Sequence, residues 1–374
     1  MKKKEPIRIA QIVGKWLGGG VEAVVMNYYR NIDRSKIQFD FICDDDSTNI
    51  PYEEIESLGG KVILIPPYQK VFKYHKELKR VLKEGNYKIV HSHINTLSVF
   101  SLCAAFAAKV PVRIAHSHST TNPSEKKKNL LKLVLRPFSK LFATNYMACT
   151  EYAGRWMFGN KKFNNGNVYI LNNAIELDKY KFDERLRKKI RKELKIKDST
   201  IVIGHLGRFV EQKNHRFLID VFNEYHKKNN DSVLVLIGQG PLVNEIKERV
   251  KSYNIESCVL FLGQKEDAYN YYNIFDLFIF PSIYEGLGMV AVEAQVNGLP
   301  VLASSNVPKD ILVTNNVKFI DLDNSIIDWV NSFTFVSLSD RSKCFLEALN
   351  SDFNISKENY KLVNYYEGCE KNDF

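Results

Sequence analysis

The segment Phe280-Pro281-Ser282-Ile283-Tyr284-Glu285-Gly286-Leu287-Gly288-Met289-Val290-Ala291-Val292-Glu293-Ala294 changes its periodicity halfway along. An apolar run ends at Pro281, a loop with two glycines turns, and an apolar-faced helix starts near Leu287. A strand, a tight loop and a helix in that order are one half of a βαβ unit. The free N–H groups and positive end of such a helix form an anion site. Glu285 falls in the loop and Glu293 about two turns into the helix. Eight residues of helix rise ~12 Å, more than the ~5–9.5 Å of a hydrolytic carboxylate pair. Two separate hydroxyl-binding tasks suit the spacing better.

Outward from this segment, the same alternation fills the chain. Thr200–Leu206, Ser232–Gly238, Cys258–Leu262, Asp276–Pro281 and Pro300–Ala303 read as strands with helical stretches between them. Upstream, Ile7–Val13, Ile37–Cys43, Lys61–Ile65, Lys88–Ser92, Val112–His116, Tyr146–Thr150 and Val168–Leu171 repeat the pattern. Strands alternating with helices imply parallel sheets. A charge-dense stretch from Asn172 to Ser199 separates the two sets. The expected architecture is α/β, with two doubly wound parallel-sheet domains at residues 1–173 and 174–354. A helix over about 355–374 is expected to pack back on the first. Ligands of such sheets bind beyond the carboxyl ends of the strands.

The length of 374 residues suits two domains, and a hydrophobic fraction of 45% excludes wholesale disorder. No apolar run reaches the ~18 residues of a spanning helix. Basic Lys2, Lys3 and Lys4 precede no apolar core, so a signal peptide is not expected. Six scattered cysteines form no C-x-x-C pair and support neither zinc nor a disulfide framework. These features predict a cytoplasmic protein. A net charge of +10 favours an anionic partner. The run Ser124-Glu125-Lys126-Lys127-Lys128 leads into Asn129–Leu141, which carries Lys132, Arg136 and Lys140 beside Leu130, Leu131, Val134, Leu135, Phe138 and Leu141. This basic helix, residues 124–143, either lies peripherally on an anionic membrane surface or buries its apolar side on the sheet. Nucleic acid is not expected, since no reading motif or interleaved aromatics accompany the charge.

Further chemistry gathers at the predicted strand ends. Gly207-Arg208 through Lys213-Asn214 follows the second domain's first strand. Gly207 permits close backbone approach, and Arg208 and Lys213 can grip a diphosphate from two sides. Fixed cations there lower the barrier to losing a diphosphate leaving group. Gly238-Gln239-Gly240-Pro241 ends the next strand and alone reads as a turn. Gly18-Gly19-Gly20-Val21-Glu22 can wrap a phosphate or sugar. His91-Ser92-His93 and His116-Ser117-His118, the latter followed by Ser119-Thr120, mark two similar strand ends. Their histidines serve more readily as hydrogen-bonding groups than as metal ligands, and the other histidines look dispersed. Asp44-Asp45-Asp46 resembles a metal-binding D-x-D run, but reads better as a solvated loop and helix cap.

Taken in order, Gly19-Gly20-x-Glu22, the two H-x-H strand ends, Gly207-Arg208 to Lys213-Asn214, Gly238–Pro241 and the E-x7-E pair Glu285/Glu293 resemble the GT4 family of retaining glycosyltransferases. Ile-Ala-His-Ser-His and Glu-Ala-x-x-x-Gly-Leu-Pro resemble its bacterial capsular and exopolysaccharide branch. The resemblance implies the GT-B fold, two Rossmann-like domains facing a central cleft, and metal-independent transfer from a nucleotide-diphosphate sugar, commonly a UDP-sugar. Arg208 and Lys213 would hold the diphosphate. Glu285 with Gly286, Leu287, Gly288 and Met289 would hold the donor sugar and phosphates, and Glu293 the ribose. His118 would sit beside the reacting face of the sugar. Gly19, Gly20, Gly207, Gly240 and Gln264 complete the implied donor-binding set. Catalytic roles would fall to His118, Arg208, Lys213 and Glu285, without a cofactor. The family branch and the basic helix imply an undecaprenyl-diphosphate-linked saccharide as acceptor. Asn172-Asn173-Ala174-Ile175 departs from the family's Pro-Asn-Gly-Ile linker. A GT-B epimerase of UDP-N-acetylhexosamine and a non-catalytic nucleotide-sugar-binding partner remain as alternatives.

Overall fold

The computed structural model describes residues 5–118, 126–335 and 341–371. Lys2, Lys3, Lys4, Ser119, Thr120, Ser124, Glu125 and residues 372–374 of the sequence reading lie outside them. The chain divides into two units, one made of residues 1–175 and 355–374, the other of residues 176–354.

In the first unit the strands are β1 (Ile7–Gly14), β2 (Ile37–Asp44), β3 (Lys61–Ile65), β4 (Ile89–Ser92), β5 (Val112–Ser117), β6 (Asn145–Ala148) and β7 (Val168–Ile170). They form one sheet in the order β3-β2-β1-β4-β5-β6-β7, parallel at every junction. Helices cover both faces, so β2 is buried along its whole length. Alternate residues feed two cores: Ile9, Phe39 and Phe41 on one face, Ala10, Ile12 and Ile42 on the other.

The last helix, Ile355–Lys371, belongs to the first of these cores through Ile355, Leu362, Val363 and Tyr366. Its Glu358 is fully buried and accepts hydrogen bonds from the backbone N–H and the side-chain amide of Asn172, both at 3.2 Å. The Tyr28 hydroxyl donates to the Asn172 carbonyl at 2.6 Å. The segment that departs from the family's linker wording is thus fastened to the first unit by buried hydrogen bonds, each costly to leave unmade.

The second unit contains β8 (Ile201–Leu206), β9 (Ser232–Ile237), β10 (Val259–Gly263), β11 (Leu277–Phe280), β12 (Val301–Ser304) and β13 (Val317–Ile320). Their order is β10-β9-β8-β11-β12-β13. The edge strand β13 was absent from the sequence reading: it has only 4 residues, and its outward Lys318 blunts the apolar signal.

The predicted basic helix over 124–143 needs correcting. An α-helix over Lys126–Leu135 gives way to a 3-10 turn over Arg136–Lys140 with Pro137 at its start. Proline lacks the N–H that would continue the helical ladder. Nor is the apolar side buried: Leu130, Val134, Phe138 and Leu141 are 50–65% exposed. Among the described residues, no helix is long and apolar enough to cross a membrane.

Candidate active site

In each sheet the strand order reverses once, between β1 and β4 and between β8 and β11. Loops on either side of such a point diverge and leave a crevice at the carboxyl edge. Most of the side chains singled out in the sequence lie at these two places.

In the second unit, the loop after β8 carries Arg208, which is exposed, and Lys213 in the 3-10 turn Glu211–Lys213. The loop after β11 carries Glu285. The Lys213 ammonium donates to Glu285 Oε1 at 2.7 Å, and the ammonium lies 4.8 Å from the Phe280 ring centre. Gln212 ties the loops further, donating to the Tyr284 carbonyl at 3.1 Å and Glu285 Oε2 at 3.2 Å and accepting from Ile283 N–H at 2.8 Å. Gly288 (φ +98) brings the chain round so tightly that a Cβ there would lie 2.8 Å from the Phe280 ring. The helix Met289–Val296 then starts with no side-chain cap, which leaves its first amides for an anion. Gly286 is exposed, with open space where a Cβ would stand.

Glu293, in the second turn, accepts from the Tyr272 hydroxyl at 2.7 Å. Burial pushes its carboxyl up, while hydrogen bonds from Tyr272 and Tyr180 work the other way. Gly240 packs so closely on Phe209 that a Cβ would lie 2.5 Å from the Phe209 carbonyl oxygen. The Phe209 N–H donates to the Gln239 carbonyl at 3.0 Å, which stitches the loops after β8 and β9 together. Gln264 is exposed just beyond the end of β10.

Two histidines of this unit are not dispersed, contrary to the sequence reading. His205 and His215 sit behind Lys213 with ring centres 4.8 Å apart. Burial lowers His205 to about 4 and His215 to about 2, with the Lys213 charge adding to both. Both are neutral at pH 7 and bring no second positive charge. A separation of ten positions, strand end to helix start, gave no cue to this edge-to-face contact.

In the first unit, Gly18 (φ +76), Gly19 and Gly20 are exposed after β1, and the Glu22 carboxylate turns back to accept from Leu17 N–H at 3.1 Å. His91 and His93 at the end of β4 meet His116 and His118 at the end of β5, all buried. His91 Nε2 is 3.0 Å from His116 Nδ1, and His93 Nδ1 is 2.9 Å from His118 Nε2. Nitrogens of His91, His93 and His116 lie within 4.8 Å of one another, near enough for a cation. Apart from His116 Nε2, they are engaged with each other, with His118, with Gln11 and with Tyr366, and the group contains no carboxylate or thiolate. Neither Gln11 nor Tyr366 carried any sequence signal. The Asp44–Asp46 run splits: Asp44 is buried at the end of β2, while Asp46 pairs with Lys15 at 2.6 Å.

Two parallel sheets flanked by helices, each with polar side chains at its reversal of strand order, are the paired Rossmann-like units of a GT-B fold. Comparison with known proteins agrees. Residues 18–179 match the model described as Glycosyltransferase Family 4, and residues 187–336 match Glycosyl transferases group 1. The chain is 34% identical to the putative glycosyltransferase EpsF of Bacillus subtilis, over 90% of this chain and 89% of that protein. It is 26% identical, over 96% of each chain, to an Escherichia coli protein named as a UDP-Gal:alpha-D-GlcNAc-diphosphoundecaprenol alpha-1,3-galactosyltransferase. Anabaena HepE, solved with UDP and glucose, superposes with a TM-score of 0.80 at 19% identity, covering 97% of this chain and 100% of that one. The protein belongs to glycosyltransferase family 4.

Proposed function

We propose that the enzyme transfers a hexose or N-acetylhexosamine from a UDP-sugar, with retained anomeric configuration, to a lipid-linked saccharide of a cell-surface polysaccharide. The observation that carries this reading is the Lys213–Glu285 pair at the reversal point of the second sheet, with exposed Arg208 in the same loop as Lys213. A cation, a carboxylate and uncapped helix amides in one place suit a sugar diphosphate better than any single-charge ligand. Relatives named for diphosphoundecaprenol acceptors support the lipid-linked part.

In the proposed reaction Arg208, Lys213 and the amides of Gly286–Met289 neutralise the departing diphosphate. Glu285 accepts hydrogen bonds from hydroxyls of the donor sugar, and Glu293 from the ribose. Gly207, Gly240 and Gln264 border the nucleotide, Gly19 and Gly20 the diphosphate or acceptor, and His118 the reacting face of the sugar. The acceptor oxygen attacks on the face the diphosphate leaves. The C–O bond to the diphosphate breaks as the new C–O bond forms, and a leaving phosphate oxygen takes the acceptor's proton. Positioning and preorganised charge supply the acceleration, and no metal is needed. The reading places the enzyme in the cytoplasm, with the exposed Leu130, Val134, Phe138 and Leu141 on an anionic membrane surface among the basic side chains.

The test is incubation of nucleotide sugars with an undecaprenyl-diphosphate-linked acceptor in EDTA, followed by assignment of the product's anomeric configuration. Retained configuration in EDTA supports the reading. An inverted product, or activity that returns only with manganese, overturns it.

A further inference from the structure

The four histidines at the ends of β4 and β5 form one hydrogen-bonded chain with Gln11 of β1 and Tyr366 of the last helix. Burial lowers all four well below the ordinary imidazole range, His118 to about 3. Each ring is therefore neutral and carries one hydrogen, so every hydrogen bond it makes fixes which nitrogen holds it.

Gln11 sets the direction of the whole chain. Its Oε1 faces His93 Nε2 at 2.7 Å, so His93 donates from Nε2 and accepts at Nδ1. His118 must then donate from Nε2 across 2.9 Å. On the other arm, Gln11 Nε2 donates to the Tyr366 hydroxyl at 3.3 Å. That hydroxyl donates to His91 Nδ1 at 2.6 Å, and His91 Nε2 donates to His116 Nδ1 at 3.0 Å. Both chain ends, His118 Nδ1 and His116 Nε2, are buried without a partner among the described residues. Turning the Gln11 amide over would reverse each bond and place a hydrogen on His118 Nδ1.

We propose that Gln11 and Tyr366 are positioning residues of the transfer reaction: they hold His118 as its Nε2–H tautomer, with the Nδ1 lone pair open to accept a hydroxyl hydrogen from the bound sugar. The link to transfer rests on the proposed function; the tautomer does not. The amide orientation present supplies that acceptor, and the unpartnered, buried Nδ1 is what a ligand hydroxyl would satisfy. The Tyr366 hydroxyl joins the Gln11 amide to His91, which gives the C-terminal helix a task at the site.

The experiment is a two-bond 1H–15N correlation spectrum of the full chain with 15N-labelled histidine at neutral pH, without ligands, His118 being assigned through His118→Asn. The expected pattern for His118 is a bare Nδ1 and a protonated Nε2; a protonated Nδ1, or an average of both forms, overturns the proposal. In Gln11→Leu and Tyr366→Phe, the His118 pattern is expected to average, and kcat to fall about 10-fold with donor KM within about 2-fold. Gln11→Glu, whose carboxylate only accepts, is expected to restore the pattern and part of kcat. An unchanged His118 pattern in folded Gln11→Leu also overturns the proposal. The spectrum reads the relay even if nothing is transferred, so failure of the proposed function and failure of the relay remain distinguishable.

Discussion

The Lys213 ammonium and the Glu285 carboxylate, 72 residues apart in sequence, meet at 2.7 Å across the point where the strand order of the second sheet reverses. Their side chains retain only 16% and 7% of their exposure. Water screens such a pair weakly, and each partner holds the other in a fixed place before any ligand arrives. The two loops are set as a unit rather than assembled by the substrate.

Removing one partner should therefore reach both stability and catalysis. Glu285→Ala is expected to lower kcat/KM at least ~10²-fold and to cost about 2 kcal/mol of stability through the cation left unpaired. Chemical denaturation beside steady-state kinetics checks this; a variant as stable and active as the parent would remove Glu285 from the site.

Gly240 tests the seam between the loops after β8 and β9. A Cβ there would lie 2.5 Å from the Phe209 carbonyl oxygen and 2.7 Å from its nitrogen, both backbone atoms that cannot swing aside. Gly240→Ala is expected to lose ~1–3 kcal/mol and to raise the KM for the donor. A urea midpoint equal to that of the parent would show that the seam yields freely.

Asp44 supplies a pH signature. Burial pushes its carboxyl up to about 6, with Asp46 and Asp45 adding and Lys15 opposing. An acid whose folded pKa is raised is penalised once ionised, so its cost appears as pH climbs from about 4 through about 6. Asp44→Asn is expected to gain stability over the parent, with a gap about 1 kcal/mol wider at pH 7.5 than at pH 5. Thermal unfolding at the two pH values checks this, and a gap independent of pH would contradict it.

The apolar side chains over residues 130–141 bear on the membrane. Leu130 and Leu141 are 65% and 64% exposed, so replacing both with Ser should leave the fold in place. Burying a leucine contributes ~1.5–3 kcal/mol. The double variant is therefore expected to bind vesicles containing phosphatidylglycerol at least ~10-fold more weakly. Equal co-sedimentation would assign these residues another role.

The strand-and-helix alternation was legible because parallel strands buried on both faces leave near-continuous runs of Val, Leu, Ile and Phe, as in β9 and β11. The loops carrying Arg208, Lys213 and Glu285 were legible for a related reason, since glycine and charge stand out where apolar runs stop. Less visible was whatever depends on distance in space. Gln11 lies 355 residues from Tyr366, and nothing in either neighbourhood marks a shared role. His205 and His215 looked unrelated because one ends a strand and the other starts a helix. The break at Pro137 could be read locally, yet amphipathic spacing around it outweighed one proline. The exposure of Leu130 and Phe138 depends on what fails to cover them, which periodicity does not report.

The central claim is that the loops after β8 and β11 bind the diphosphate of the donor through fixed positive charge. Titration calorimetry of UDP against the parent, Arg208→Ala and Lys213→Ala measures it most directly. Each charge-assisted hydrogen bond contributes ~1.5–3 kcal/mol, so each variant is expected to bind UDP ~10- to 100-fold more weakly while remaining folded. Parental affinity for UDP in both folded variants would contradict the account.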